Sequence, residues 1–140
     1  MIFLYPGILD GKVKIFKNLQ SDLYLKGYAD EIRRVLISII FNSIDVLTQY
    51  RIDPVIDIKS SLTENGQIKL DIANNGPRIP DHLVSSIFEP FVTTKTLGTG
   101  LGLFVCREII EKHQGKLTCH SDTDRTVFRI ILPTSVQKKV

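Results

Sequence analysis

Tryptophan is absent from the 140 residues, methionine occurs once, and there are only two cysteines. One cysteine pair cannot build the disulfide framework of a small secreted domain, and the separation of Cys106 and Cys119 fits no zinc-ligand pattern. A reduced, cytoplasmic domain is the simplest account. Cys106 falls in an apolar helical stripe with Leu103, Ile109 and Ile110 and reads as a buried thiol. Charge of one sign is also scarce: 18 Lys and Arg against 15 Asp and Glu leave +3, too little to demand a nucleic-acid partner. No apolar run reaches the roughly 18 residues that a membrane helix needs, so no membrane contact is expected. The opening MIFLYPGIL is short, broken by proline and lacks a basic start, unlike a signal peptide. Lys138 and Lys139 near the end read as a solvated tail. His82, His113 and His120 read as surface or capping groups, with His113 suited to a helix C-terminus before Gly115.

A hydrophobic content of 43% is enough for one packed domain of this length, taken as residues 1–140 without repeats or linkers. Two strands are expected at Val13–Asn18 and Leu23–Gly27, around a turn at Gln20–Asp22. Apolar residues at Ile32, Val35, Leu36, Ile39, Ile40, Val46 and Leu47 predict a long helix from Asp30 to about Tyr50. Val55–Leu62 and Gln67–Ala73 predict a hairpin around Asn65-Gly66. A short helix should run from Pro80 to about Ile87, with proline at its start. A further helix should run from about Leu101 to Gln114-Gly115, and Lys116–Ser121 with Val127–Leu132 should close the chain as a hairpin. This order predicts an α/β fold, a two-layer sandwich with helices over one face of a mixed sheet.

The densest signal is Ile87–Leu103, IFEPFVTTKTLGTGLGL. Its three alternating glycines, Gly98, Gly100 and Gly102, precede an amphipathic stretch. Glycine permits close backbone approach, and a helix start offers unpaired N–H donors, so together they make a phosphate seat. Lys95 can add a mobile positive charge, and Thr93 and Thr94 add hydroxyls. Two other phosphate loops are excluded by spacing. Leu103 follows Gly102 where a lysine would be needed, and Leu101 stands alone where the dinucleotide fingerprint needs two residues.

EPFVTTK followed by GTGLGL resembles the F box and second glycine box of sensor histidine kinases, members of a wider ATPase group with gyrase, mismatch-repair ATPases and a large heat-shock chaperone. Upstream, LISIIFNSIDVL resembles the N box, and Asn74-Asn75-Gly76-Pro77-Arg78-Ile79-Pro80 resembles the first glycine box. The match covers about residues 13–133 and implies a Bergerat-type ATP-binding fold. The segment from Phe88 to Gly100 would be a short ATP lid, similar to those of nitrogen-regulation sensors.

The resemblance implies ATP and Mg²⁺ as cofactors. Asn42 would supply a side-chain oxygen to Mg²⁺, with Asp45 one turn on. Asn74, Gly76, Ile79 and Thr126 would surround adenine. Phe91, Thr94, Lys95, Gly98, Thr99, Gly100, Leu101, Gly102 and Leu103 would form the lid and phosphate seat. Three positions depart from the pattern. Asn74 stands where an aspartate usually accepts from the adenine amino group, and Arg78 replaces a glycine. Ser38 occupies the place of the glutamate that activates water in the gyrase branch, and a serine cannot act as that base at neutral pH. The implied activity is protein-histidine kinase: the γ-phosphate of ATP passes to a histidine on a separate dimerisation domain, with a response regulator as the onward partner. The chain reads as a catalytic fragment that binds ATP without phosphorylating itself. Two alternatives stay open: a degenerate nucleotide-binding module that regulates by protein contact, and an anti-sigma-type serine kinase.

Overall fold

The computed structural model describes residues 13–48, 53–90 and 102–135. Five strands form one sheet: β1 (Lys14–Leu19), β2 (Val55–Leu62), β3 (Gln67–Asn74), β4 (Lys116–Ser121) and β5 (Thr126–Pro133), in the order β1-β2-β3-β5-β4. The pair β1/β2 is parallel and the other pairs are antiparallel, so the sheet is mixed. Three helices accompany it: α1 (Ala29–Leu47), α2 (Asp81–Val84) and α3 (Leu103–Lys112), with a tight 3₁₀ turn at Ser86–Phe88. This is the expected two-layer α/β arrangement.

Strand periodicity sorts the residues. On β3, Ile68 and Ile72 are buried, while Asp71 lies on the opposite face in a two-pronged ion pair with Arg129 of β5 (2.8 and 2.9 Å). On β5, Phe128, Ile130 and Leu132 face inward with them. The helical stripe of α1 supplies Val35, Ile39, Ile40, Ile44 and Leu47, and α3 supplies Leu103, Cys106 and Ile110. These side chains form one core on the helix-covered side.

One expected strand is not formed. Leu23–Gly27 makes no ladder, and β1 pairs with β2 rather than folding back on itself. The apolar alternation there is real, since Leu23 and Leu25 pack against the core. Their backbone, however, finds other partners: the Tyr24 carbonyl accepts from Ser135 N–H (2.7 Å) and Thr134 Oγ1 (3.0 Å). Asp22, at φ 62°, turns the chain away from the sheet. The helix start also differs slightly. Tyr28 takes the cap position without a side-chain cap bond, and Asp30 sits in the first turn, paired with Arg33 at 2.7 Å. The helix stops at Leu47, earlier than Tyr50.

The hairpins match expectation. Gly66 takes φ 77° in the β2–β3 turn, and Asp122 Oδ1 accepts from the N–H groups of Asp124 and Arg125 in the β4–β5 turn. At the end of α3 the left-handed position is Gln114 (φ 63°), not Gly115. Glycine is needed at 115 for a different reason: a Cβ there would lie 2.4 Å from the Ile131 carbonyl oxygen.

His113 ends α3 as expected, but buried. Its Nε2 accepts from the Tyr28 N–H (3.0 Å), which leaves Nδ1–H to donate to the Ile109 carbonyl (2.8 Å). The end of α3 is thereby tied to the start of α1.

Gly115→Ala is expected to lower the free energy of unfolding by about 1–3 kcal/mol, because the obstructing atom belongs to a laddered backbone that cannot swing away. Urea denaturation checks this, and an unchanged midpoint would show that the α3–β4 corner can open at no cost.

Candidate functional site

A cavity of about 360 Å³ opens between the middle of α1, the loop after β3, α2, the start of α3 and the first residues of β5. Apolar walls come from Val46, Ile79, Ile87, Leu103 and Phe128, and polar groups from Asn42, Ser43, Asn74 and Thr126. An apolar cleft with a few placed polar groups suits a small planar ligand with a polar edge. A larger groove of about 730 Å³ lies between the start of α1 and the end of α3. Its Lys112 is already committed to Glu31 (3.0 Å) and the Tyr28 ring, and its His113 to two backbone groups. It gathers none of the residues singled out in the motifs.

Register explains how residues distant in sequence meet. Asn74 continues the inward alternation of Ile68, Leu70 and Ile72 at the last position of β3. It lies opposite Ile56 of β2 on one side and Thr126 of β5 on the other, and Thr126 lies opposite Ser121 of β4. A row of three polar side chains therefore crosses the end of the sheet on the helix-covered face. Asn74, Ser121 and Thr126 are all buried.

Each of these buried groups is partnered. Asn74 Oδ1 accepts from the Gly76 N–H (2.9 Å), and Asn74 Nδ2 donates to Ser43 Oγ (3.3 Å). Ser43 Oγ in turn donates to the Ile39 carbonyl one turn earlier (3.1 Å). Ser121 Oγ accepts from the Ile79 N–H (2.8 Å) and shares a short bond with Thr126 Oγ1 (2.6 Å). The loop between these anchors is fixed by Asn75, whose Oδ1 accepts from Val55 N–H and whose Nδ2 donates to the Asp53 carbonyl. Gly76 is buried beside the cavity; a Cβ there would lie 2.9 Å from Asn74 Oδ1 and 3.2 Å from Val46 Cγ1.

Arg78 lies on the rim. Among the described residues only Asp22 and Gln114 are non-glycines with positive φ, so arginine in place of glycine strains nothing. Its guanidinium is held by Asp81 (2.9 Å) in an exposed pair.

Asn42 lines the cavity, and its buried Nδ2 has no hydrogen-bond partner among the described residues. One turn before it, Ser38 Oγ is buried in the same condition, next to Cys106. Asp45 is half-buried and does not belong to the cavity wall. Gly102 caps α3 in extended conformation (φ −78°, ψ 167°) without a side-chain cap, and Leu103, the first helical residue, lines the cavity. The start of α3, where the first N–H groups of a helix have no intrahelical partner, thus lies at the cavity mouth. Phe91, Thr94, Lys95, Gly98, Thr99, Gly100 and Leu101 lie outside the described residues. Ser43 stands inside the LISIIFNSIDVL run but was not singled out, and Ser121 carried no motif; both were missed. A serine inside an apolar helical stripe was the one available signal for the first.

Burial pushes the Cys106 thiol up to about 11 and the Cys119 thiol up to about 12. For Cys106 the neutral thiol is the native form. Its stabilisation is complete below the ordinary value of 9.0 and is lost as pH rises through about 11. Urea midpoints between pH 8 and pH 11 should therefore fall less steeply for Cys106→Ala than for the parent chain. Parallel curves would show that the thiol is not buried as described.

A family model described as histidine kinase-, DNA gyrase B- and HSP90-like ATPase matches residues 27–136. The sensory histidine kinase/phosphatase NtrB of Klebsiella oxytoca is 33% identical over 133 residues, covering 89% of this chain and 38% of that protein. The chain spans well under half the length of the curated relatives it matches. Among solved structures, the nucleotide-free catalytic domain of histidine kinase ThkA superposes with a TM-score of 0.78 at 34% identity, covering 90% of this chain and 82% of that one. ThkA in complex with the response regulator protein TrrA superposes with a TM-score of 0.76 at 29% identity, covering 94% and 37%.

Proposed function

Because the chain belongs to the family of histidine kinase-, DNA gyrase B- and HSP90-like ATPases, we propose that its cavity binds the adenine of ATP and that the domain is the ATP-binding catalytic part of a sensor histidine kinase. The observation that carries this reading is the juxtaposition of Asn74 and Thr126 at one sheet end with Asn42 and the uncapped start of α3 at the cavity mouth.

The base lies between the apolar walls of Ile79, Leu103 and Phe128, where burial supplies affinity without much selectivity. Asn74 and Thr126 meet its polar edge. The phosphates lead toward the first turn of α3, where the N–H groups and partial positive charge of a helix start favour an anion. The lid residues Thr94, Lys95 and Gly98 to Leu101 are assigned to the same phosphates from their motif. Asn42 lines the cavity, and its neutral amide oxygen is a suitable ligand for a hard divalent cation. Asn42 would hold Mg²⁺ through that oxygen, and the ion would supply neutralisation of phosphate charge. Asn42 thereby positions the phosphate tail, and α3 stabilises its charge; positioning and charge stabilisation are the main protein contributions to phosphoryl transfer.

The γ-phosphate passes to a histidine on a separate helical domain, and from there to a response regulator. Ser38 lies one turn from Asn42 and cannot take a proton from water at neutral pH, so ATP persists until an acceptor arrives.

Asn42→Ala should weaken Mg²⁺-dependent ATP binding by at least about tenfold, the scale of one charge-assisted contact. Calorimetric titration with and without chelator checks this, and an equal affinity in both variants would remove Asn42 from the metal. Mixing the chain with ATP and a histidine-bearing helical domain should yield acid-labile phosphate on that domain. Acid-stable phosphate would assign a serine kinase instead.

A further inference from the structure

We propose that Ser43 is the positioning residue that makes this site accept a 6-amino purine in preference to a 6-oxo purine, by fixing which end of the Asn74 amide faces which way. The proposal rests on the ATP reading above.

An asparagine amide has an acceptor end and a donor end of nearly equal shape, and only its neighbours decide between them. A carboxylate faces no such choice. Here two neighbours of fixed role settle it independently. The Gly76 N–H can only donate, and it points at Oδ1. Turning the amide over would set the NH₂ group against that N–H. At the other end, Nδ2 donates to Ser43 Oγ. Ser43 is able to accept because its own proton is given to the Ile39 carbonyl. Ser43 is 1% exposed and Asn74 5%, so each depends chiefly on partners within the protein.

With both ends held, Asn74 has one lone pair left on Oδ1 and one hydrogen left on Nδ2. Adenine offers an amino donor beside a ring-nitrogen acceptor, which complements that pair. Hypoxanthine and guanine offer the reverse, a carbonyl beside a ring N–H, and would set their oxygen against Oδ1. They could be read only by the inverted amide. Removing the Ser43 hydroxyl leaves the lock held at the Gly76 end alone, so inversion becomes easier and discrimination weakens. Ser43 touches no ligand in this scheme. It acts through Asn74, and its effect falls on the ratio of two affinities rather than on affinity as such.

The test compares ATP with inosine triphosphate, which differs at the 6-position and carries no 2-amino group to confuse the result. Calorimetric titration of the full chain should show that Ser43→Ala lowers the ATP-to-inosine-triphosphate affinity ratio by about tenfold, the scale of one lost buried hydrogen bond. Ser43→Thr, which keeps the hydroxyl, should hold the parent ratio. An unchanged ratio in Ser43→Ala, or a ratio lowered as far by Ser43→Thr, would overturn the assignment while leaving ATP binding intact. A parent chain that binds neither nucleotide would overturn the ATP reading itself, and this proposal with it.

Discussion

A buried polar group must find its partners inside the protein, and the end of this sheet is organised by that requirement. Asn74, Thr126 and Ser121 stand in one register row on the covered face, and all three are buried. An unpaired group in such a place costs about 1–3 kcal/mol. Two neighbouring segments meet the demand. Helix α1 brings Ser43 to Asn74, and the loop after β3 brings the N–H groups of Gly76 and Ile79 to Asn74 and Ser121. The same bonds that satisfy the row fix the position of the loop and close one side of the cavity.

The rest of the fold holds these contributors in place. Helix α1 is fastened at its start, where Tyr28 N–H meets His113 at the end of α3, and packs along its length on the core. Its central residues therefore cannot drift relative to β3. Asn75 binds Asp53 and Val55 at the start of β2 through both ends of its amide, so the loop is anchored to the sheet three strands away from Ser121. On the opposite face Asp71 and Arg129 mark a polar surface.

Much of this was legible in the sequence because periodicity and glycine chemistry are local. The stripe from Ile32 to Leu47, the Asn65-Gly66 turn and the order of elements all emerged from spacing, and the motif residues Asn42, Asn74, Ile79, Leu103 and Thr126 do line one cavity. What failed was nonlocal. Leu23 and Leu25 alternate as a strand does, yet their backbone is claimed by residues 134 and 135, more than a hundred positions away. Gly115 was legible as a helix stop, but its cause is the Ile131 carbonyl across the sheet. Ser43 and Ser121 matter only through partners in other elements, and a serine by itself announces no partner.

The two ends of the cavity differ in how complete they are, and the difference follows the chemistry each must perform. At the sheet end, every polar side chain in the row is bonded within the protein, and the Asn74 amide is held in one orientation. Recognition of a flat base by a hydrogen-bond pattern requires that rigidity, because a donor or acceptor that could rotate would read either pattern. Toward the start of α3, Asn42 Nδ2 is buried without a hydrogen-bond partner among the described residues. A partner that arrives with a ligand recovers the cost of such groups, so binding energy concentrates there. On the ATP reading proposed above, the site would take selectivity from its satisfied end and affinity from its unsatisfied one.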